Sequence, residues 1–315
     1  MMPAGSPAAD RIDRFRSDIG RLAGDQARIG LAVSGGPDSV ALLLLAAEAM
    51  PGRIAAATVD HGLRPEAAAE AAFVAGLCAA RGVPHATLAV TVAPTGEGVQ
   101  AAARAARYAA LEGWRADAGL AFVATAHHAD DQAETLLMRA SRGAGVGGLA
   151  GIRAANGAII RPLLGWRRAE LAAIVAEAGI DPVDDPSNRD PRYDRSRMRA
   201  LLAANPELDV PGLAQAAANL ADAARALDWA AERLWNERAG VAGNGVTLDP
   251  AGLPAELVHR LVRRALANLG EEGRADRIAP LIARLEAGQP ASIGAILARP
   301  GAIWTFAPAP PRRFG

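Results

Sequence analysis

The first 140 residues alternate short apolar runs with longer alanine-rich runs, and this alternation limits the folds open to the chain. We predict strands over residues 28–33, 54–60, 85–92 and 120–126, and helices over residues 38–49, 65–81, 98–118 and 129–141. Strands alternating with helices of this length indicate βαβ units and a parallel sheet. Polar residues directly follow three of the strands, at Ser34, Asp60 and His127. Open α/β sheets bind ligands beside the carboxyl ends of their strands, so we expect the site there.

The pattern changes after about residue 206, where long helical runs dominate. We predict two domains, residues 1–205 with the parallel sheet and residues 206–315 as a smaller, mainly helical domain. Two strand candidates interrupt the second domain, at 245–248 and 302–306. Between the domains, residues 181–195 hold three prolines and many charges and are expected to form an ordered loop or a linker.

Composition excludes several kinds of chemistry. The chain has 34 basic residues and none is a lysine, which excludes a Walker A lysine, a kinase-type lysine and a Schiff-base lysine. The single cysteine, Cys78, excludes an internal disulfide and any Cys-x-x-Cys site. The formal net charge is +0, so nucleic-acid binding would have to come from a local basic patch.

No apolar run reaches the length of a membrane span, and the first residues carry charges instead of an apolar signal core. We therefore expect a cytoplasmic protein. The sequence leaves its oligomeric state open, a homodimer included.

The segment Ser34-Gly35-Gly36-Pro37-Asp38-Ser39 follows the first strand and begins a helix. Two glycines allow a sharp turn that brings backbone N–H groups close to an anion, and the helix N-terminus adds partial positive charge. Asp38 fits beside phosphates if it binds Mg²⁺ or caps the helix. The alternative is an ordinary capped turn, but the whole hexapeptide after an apolar strand favours phosphate binding.

This hexapeptide resembles the SGGxDS loop of the N-type ATP pyrophosphatases, also called PP-loop proteins. The resemblance implies a Rossmann-like parallel sheet with helices on both faces, and cleavage of ATP between its α- and β-phosphates. The ATP-binding residues that it implies are Ala32, Ser34, Gly35, Gly36, Asp38 and Ser39. Asp60 and His61, at the end of the second strand, either contact the adenosine or form a capped turn.

A second polar cluster, residues 126–135, ends the fourth strand and begins a helix. Asp131 and Glu134 share one helical face and could bind a metal or an ammonium group, although acidic residues also favour a first helical turn. His127 and His128 are poor zinc candidates, because adjacent residues of a strand point to opposite faces. The glycine-rich run 143–148 fits G-x-G-x-x-G but lacks a preceding strand, which argues against a dinucleotide site.

Arginines lie at two further places. Arg104 and Arg107 share a helical stripe with Gln100, which is either a solvated face or a surface toward phosphate or RNA. Residues 189–199 hold five arginines, including Arg195, Arg197 and Arg199, against two aspartates. This segment is either a solvated charged loop or the local patch that a neutral chain needs for binding RNA.

Several motifs in the order found here resemble the tRNA(Ile)-lysidine synthetases. They are Val-Asp-His-Gly-Leu-Arg (59–64), His-His-Ala-Asp-Asp-Gln-Ala-Glu-Thr-Leu-Leu-Met-Arg (127–139), Arg-Gly-Ala-Gly (142–145), Arg-Pro-Leu-Leu (161–164), Asp-Pro-Ser-Asn (185–188) and Tyr-Asp-Arg-Ser-Arg-Met-Arg (193–199). The similarity covers residues 28–200, and beyond 206 only size and helical character match. Two positions depart from the family, Gly98 and Ser196, where asparagine is common.

The resemblance implies that ATP, with Mg²⁺, adenylates the wobble cytidine of the tRNA(Ile) with a CAU anticodon, and that free L-lysine then displaces AMP. It implies Asp38, His127, Asp131 and Arg107 as catalytic residues, and Asp131 and Glu134 as the lysine-binding pair. Contacts to tRNA would come from Arg104, Arg195, Arg197, Arg199 and the second domain, unless Arg199 faces the nucleotide phosphates. The alternatives are a PP-loop tRNA thiolase and a non-catalytic adenine-nucleotide sensor.

Overall fold

A computed structural model describes residues 8–60, 67–90, 99–183, 194–271 and 275–310. The chain forms two compact units, Met1–Ala221 and Asp222–Gly315. The predicted domain boundary at residue 205/206 stays a prediction; the two units divide within the long helix α9 (Val210–Arg238). None of the described helices combines the length and the apolar character needed to cross a bilayer.

The first unit contains a mixed sheet and the helices that cover it. Its strands are β1 (Ile29–Ala32), β2 (Ile54–Asp60), β3 (His85–Ala89), β4 (Phe122–Ala124), β5 (Ala155–Asn156) and β6 (Ile159–Ile160). Its helices before α9 are α1 (Ala9–Ala23), α2 (Pro37–Ala49), α3 (Ala67–Ala79), α4 (Val99–Asp117), α5 (Ala129–Ala140), α6 (Val146–Leu149), α7 (Arg168–Glu177) and α8 (Asp194–Ala204).

The strand order is β3-β2-β1-β4-β6-β5, and all neighbours are parallel except the short β5–β6 hairpin. From β1 the chain first builds outward through β2 and β3, and then returns to the other side of β1 with β4. The strand order therefore reverses between β1 and β4. In a doubly wound sheet a ligand crevice opens at such a point, beyond the carboxyl ends of the two strands.

Side chains alternate between the two faces of the sheet, and each face is covered by helices. Ile29 and Leu31 of β1 are fully buried in a core formed with α1, α2, α3 and α7. Gly30 faces the other way, where an added Cβ would lie 2.5 Å from the Trp114 ring of α4. α2 is buried along most of its length, which explains its almost continuous apolar sequence. The predicted fold class, with helices on both faces of the sheet, is confirmed.

The second unit has its own core and an antiparallel sheet. The C-terminal half of α9 is followed by β7 (Ala239–Ala242), β8 (Gly245–Leu248), α10 (Ala255–Asn268), α11 (Ala275–Glu286), β9 (Ala291–Ile293), β10 (Ile296–Arg299) and β11 (Trp304–Pro308). The strand order is β7-β8-β11-β10-β9. β8 and β11 correspond to the two strand candidates of the sequence, whereas the other three strands were not expected. Their short runs of mostly small residues carry little hydrophobic periodicity.

Four helices of the first unit, α1, α6, α7 and α8, lie where the sequence predicted none. α1 and α7 were not predicted, and both pack against α2. α8 begins at Asp194. The end of the predicted 181–195 loop, and three of the five arginines in residues 189–199, are therefore helical. The rest of that loop, residues 184–193, lies outside the described residues. The glycine-rich run 143–148 follows α5 and leads into α6, so it occupies no strand-to-helix turn.

Candidate active site

The turn between β1 and α2 has the geometry of an anion-binding loop. Gly35 has φ +88°, a conformation that favours glycine, and a Cβ there would lie 2.9 Å from Cγ2 of Val183. The Ser39 hydroxyl accepts a hydrogen bond from the Ser34 N–H at 3.1 Å and donates one to the Gly36 carbonyl at 2.9 Å. These bonds hold the loop closed on itself.

The N-terminus of α2 begins in this loop and carries no side-chain cap. Gly36 is the N-cap residue in an extended conformation, and Pro37 suits the first helical position because it has no N–H that would need an acceptor. The first N–H groups of a helix have no partner within the helix, so an uncapped start presents donors and partial positive charge to an anion.

Asp38 lies beside this helix start and faces the N-terminus of α5. One carboxylate oxygen, Oδ2, is 3.4 Å from Nε2 of His128, while Oδ1 is buried and has no hydrogen-bond partner among the described residues. A buried carboxylate oxygen without a donor is costly unless a cation or a ligand satisfies it. Asp38 therefore fits the predicted Mg²⁺ ligand. The described residues contain no group of three side chains that would bind a metal by themselves, and Mg²⁺ commonly completes its shell with phosphates and water.

His128 caps α5 and links it to Asp38. The buried ring accepts a hydrogen bond from the Asp131 N–H through Nδ1, and the Asp131 carboxylate accepts one from the His128 N–H in return. In the neutral ring, the proton then sits on Nε2, toward Asp38. Burial acts to lower the pKa of His128, but the contact with Asp38 and the charges of Asp131 and Asp38 outweigh it, so this pKa is raised.

His127 has the opposite electrostatic character. Its Nδ1 lies 2.9 Å from the Thr125 hydroxyl. Burial lowers the pKa of His127 to about 4, and the charges of Arg161, Arg195 and Arg104 add to this against the opposing charge of Asp131. His127 is therefore neutral at neutral pH. The two histidines bind different partners, in line with the sequence argument against a shared zinc ion.

Glu134 is almost completely buried and holds two arginines. Its Oε1 accepts hydrogen bonds from Nη2 of Arg168 at 3.1 Å and from Nε of Arg199 at 3.0 Å. Its Oε2 is buried and has no hydrogen-bond partner among the described residues. One oxygen of this carboxylate thus holds both arginine side chains in place.

These groups surround a cavity of about 430 Å³ at the carboxyl ends of β1 and β4. Its polar wall comprises the phosphate loop, Thr125, His127, Asp131 and four arginines, and its apolar wall is formed by small and aliphatic residues of the sheet and α4. The predicted residues that line it are Ala32, Ser34, Gly36, Asp38, Ser39, Arg107, His127, Asp131, Arg195 and Arg199.

The other predicted site residues that the structure describes do not line this cavity. Gly35 allows the turn of the loop and packs against Val183. Glu134 is buried and contacts Arg168 and Arg199. Asp60 ends β2, beside β1, and is not part of the wall. Arg104 is exposed and stacks on the Tyr108 ring at 4.9 Å, and Arg197 pairs with Asp194 on the surface of α8. His61 and the side chain of Gln100 lie outside the described residues.

The lining residues that were not predicted from the sequence include Tyr108, Thr125, Arg168 and Val183. Tyr108 directly follows Arg107, and Thr125 immediately precedes the polar cluster at the end of β4, so both could have been included. Arg168 and Val183 reach the site through the packing of α7 and the chain after it, which no local motif indicates.

An uncapped helix start after a glycine turn, at the switch point of a doubly wound sheet, is typical of nucleotide-binding α/β proteins. The PP-loop domain family matches residues 7–205 of this chain. The U34-tRNA thiolase NcsA from Methanococcus maripaludis, solved with its [4Fe-4S] cluster, has a similar fold, with a TM-score of 0.54 and 16% sequence identity over 68% of this chain and 79% of that one.

Relatives that are similar over most of the chain identify the family to which it belongs. The tRNA(Ile)-lysidine synthase of Novosphingobium aromaticivorans is 48% identical over 99% of this chain and 98% of its own length. The tRNA(Ile)-lysidine synthase of Zymomonas mobilis is 44% identical over 91% of this chain and 90% of its own. The chain belongs to the tRNA(Ile)-lysidine synthase family, which confirms the family predicted from the motifs.

Proposed function

We propose that this enzyme joins free L-lysine to C2 of the wobble cytidine in the tRNA(Ile) that carries a CAU anticodon. In the first step the C2 oxygen attacks the α-phosphorus of ATP and pyrophosphate leaves. In the second step the ε-amine attacks C2, a carbon–nitrogen bond forms, and the carbon–oxygen bond breaks as AMP departs with that oxygen. The product, lysidine, pairs with A instead of G.

The observation that carries this proposal is the composition of one cavity wall. The phosphate loop, Asp131 of α5 and four arginines line the same space, so a triphosphate, an ammonium group and an RNA phosphate each meet a complementary group there. The chain's membership of the tRNA(Ile)-lysidine synthase family supports the same reaction.

In this proposal the N–H groups at 34–36 and the Ser39 hydroxyl bind the ATP phosphates, and Asp38 binds Mg²⁺. The fit of Asp38 rests on its buried, unpartnered Oδ1. When bound, Mg²⁺ would offset the negative charge of the phosphates during attack. Arg107 is the proposed catalytic arginine, since it reaches the cavity from α4 and can stabilise charge as pyrophosphate leaves.

The lysine ammonium would pair with Asp131 in the cavity wall, and Glu134, buried beneath Arg168 and Arg199, would complete the lysine-binding pair from behind that wall. A carboxylate partner favours the charged amine, whose ordinary pKa is about 10.4, yet the attacking amine must be neutral. His127 is one proposed proton acceptor because its neutral ring lines the cavity, but its lowered pKa of about 4 makes it a weak base. Asp131, which lines the same wall, is the alternative acceptor.

The tRNA would be bound by Arg104, Arg195 and Arg197, and also by Arg199 where it is not engaged with phosphates of ATP. Arg195, Arg197 and Arg199 lie on α8, whose described helix contains only one acidic residue, Asp194. A cluster of this kind gives a neutral chain a local surface for RNA phosphates.

A thiolase is the nearest rival reaction, because the fold resembles a U34-tRNA thiolase. Iron–sulfur clusters are typically held by several cysteines. This chain has one cysteine, Cys78, which is buried in α3 and whose thiol pKa is raised by burial to about 11. It can neither supply a set of cluster ligands nor present a thiolate, so the lysine reaction is favoured.

The test is incubation of the full chain with ATP, Mg²⁺, lysine and a transcript of tRNA(Ile) with a CAU anticodon. We expect AMP, pyrophosphate and a lysine-modified cytidine detected by mass spectrometry. A matched transcript with U at the wobble position should give no modified nucleoside. Modification without lysine would contradict the proposal, and ADP as the product would contradict the whole class of reaction.

A further inference from the structure

We propose that Arg168 binds the pyrophosphate half of ATP, and that Asp130 is the positioning residue that holds it there. This inference rests on the proposed function only in taking ATP as the nucleotide. Neither residue was indicated by a phosphate motif. Their positions follow from the way in which α7 is joined to α5.

The N-termini of α5 and α7 are tied together by several hydrogen bonds. The Ala129 N–H donates to the Trp166 carbonyl at 2.8 Å. Asp130 Oδ2 accepts from the Arg168 N–H at 2.8 Å, and its two oxygens accept from the Arg167 side chain at 3.2 and 3.3 Å. Asp130 therefore caps α7 from a neighbouring helix. This hydrogen bond fixes the backbone position of Arg168 at the start of α7.

The Arg168 side chain then reaches Glu134 and the cavity wall. It is 29% exposed and donates one hydrogen bond, from Nη2 to Oε1 of Glu134. A guanidinium has five N–H donors, and its remaining ones meet no partner among the described residues. Arg199 contacts the same oxygen from α8. Glu134 thus holds two guanidinium groups in the wall of one cavity.

The position of Arg168 points to the phosphates rather than to another part of the substrate. Its charge acts on His128, whose Nε2 is 3.4 Å from Asp38 in the phosphate loop. Arg168 also lines the same cavity as Ser34, Gly36 and Asp38 of the loop that would bind the triphosphate. A guanidinium suits this task because its fork of donors matches phosphate oxygens.

The test measures binding of ATP, AMP and inorganic pyrophosphate to the full chain by calorimetry, with no tRNA or lysine present. Arg168→Gln should weaken ATP and pyrophosphate binding about tenfold or more, the usual effect of losing a charge-assisted hydrogen bond. AMP binding should stay within about twofold of the native value. Arg167→Gln is the matched control: the neighbouring arginine also contacts Asp130 but does not line the cavity, and it should leave all three affinities unchanged.

An equal loss of AMP and ATP affinity, or no loss of either, would overturn the role of Arg168. If a separate measurement of tRNA binding to Arg168→Gln showed a loss while all three small-ligand affinities stayed native, Arg168 would be assigned to the RNA instead. If Asp130 acts through Arg168, adding Asp130→Asn to Arg168→Gln should cost no further pyrophosphate affinity; a further loss would overturn the positioning role. These measurements do not depend on lysine transfer, so failure of the proposed reaction would be seen separately.

Discussion

At the scale of single residues, His127 and His128 show how the surroundings of two identical side chains shift their pKa values in opposite directions. His127 faces the cavity among arginines, and its pKa is lowered to about 4. His128 is buried between Asp38 and Asp131, and its pKa is raised. The sequence identified the pair as poor zinc ligands, but it could not assign their charge states, which depend on Asp38 and on arginines distant along the chain.

The lowered pKa of His127 predicts a pH dependence of stability. The unfolded chain binds a proton on this ring near pH 6.5, whereas the folded chain does so only near about pH 4. Between these values the unfolded state holds more protons, so the free energy of unfolding should fall as the pH is lowered through this window. The free energy of unfolding can be measured by urea unfolding at several pH values for the native chain and for His127→Gln. It should decrease less steeply with falling pH in the variant than in the native chain. Thr125→Ala, which removes the hydroxyl partner but no titrating group, should keep the native slope. Identical slopes for His127→Gln and the native chain would contradict the assignment.

Asp38→Asn should lower the rate of pyrophosphate release by about 100-fold or more, because Asp38 is proposed to hold Mg²⁺ against the phosphates. Binding of tRNA, measured by filter retention, should remain close to native. Asp13→Asn, at an exposed site on α1, is the control and should leave both unchanged. Normal pyrophosphate release by the Asp38 variant would refute the role.

The roles of Asp131 and Glu134 can be distinguished by their effects on the KM for lysine and on the KM for ATP. Asp131→Asn retains an oxygen that can cap α5 and should raise the KM for lysine with little change in the KM for ATP. Glu134→Gln should raise both KM values, because Oε1 of Glu134 also holds Arg168 and Arg199. Steady-state kinetics with each substrate varied in turn would distinguish the two. An unchanged KM for ATP in the Glu134 variant would show that the arginines do not need this carboxylate.

At the scale of elements, the turn from β1 into α2 is the part of the site that local sequence specifies best. Its glycines, proline and serines each have a local conformational role, so the predicted loop and the observed loop agree. α7 and the chain around Val183 contribute to the same site through tertiary packing. Because the α7 sequence contains little amphipathic pattern of its own, neither its helix nor the place of Arg168 in the site was predicted. α1 does carry apolar residues at Ile12, Phe15 and Ile19, a helical spacing that the sequence analysis overlooked.

Gly35→Ala tests the turn. A residue other than glycine at φ +88° costs about 1–2 kcal/mol, and the new Cβ would press on Val183 at 2.9 Å. We expect lower stability and also at least a tenfold loss of ATP affinity, since the loop must shift. Gly24→Ala is matched, with φ +76° and no atom within 4 Å of the added Cβ. It should lose similar conformational stability while ATP binding stays native. Equal ATP affinities in the two variants would contradict a role for the loop.

At the scale of the whole molecule, the net charge of +0 conceals a strong local asymmetry. Composition directed attention to a local basic patch, and α8 carries three arginines against one acidic residue, Asp194. The second unit was predicted less completely than the first. Its core depends on short antiparallel strands that pair across the sequence, such as β8 with β11, and pairing of this kind leaves little trace in local periodicity.

The salt dependence of tRNA binding should report on this patch. Each arginine–phosphate contact contributes about 0.7–0.9 to the slope of log affinity against log salt concentration. Arg197→Gln should reduce the slope by roughly that amount, and ATP affinity should not change, because Arg197 does not line the cavity. Arg21→Gln, on α1 and paired with Asp18 at the same spacing as Arg197 with Asp194, should leave the slope unaltered. An unchanged slope for Arg197→Gln would remove this residue from the RNA-binding surface.

The cavity wall contains four arginines against Asp38 and Asp131, and the arginines remain in excess when Glu134 behind them is counted. Before any nucleotide arrives, this excess should attract small mobile anions from the surrounding medium. Nucleotide capture is then an exchange in which such anions are expelled. Buffers rich in phosphate or sulfate should therefore compete with ATP, whereas acetate or chloride at the same ionic strength should do so far less.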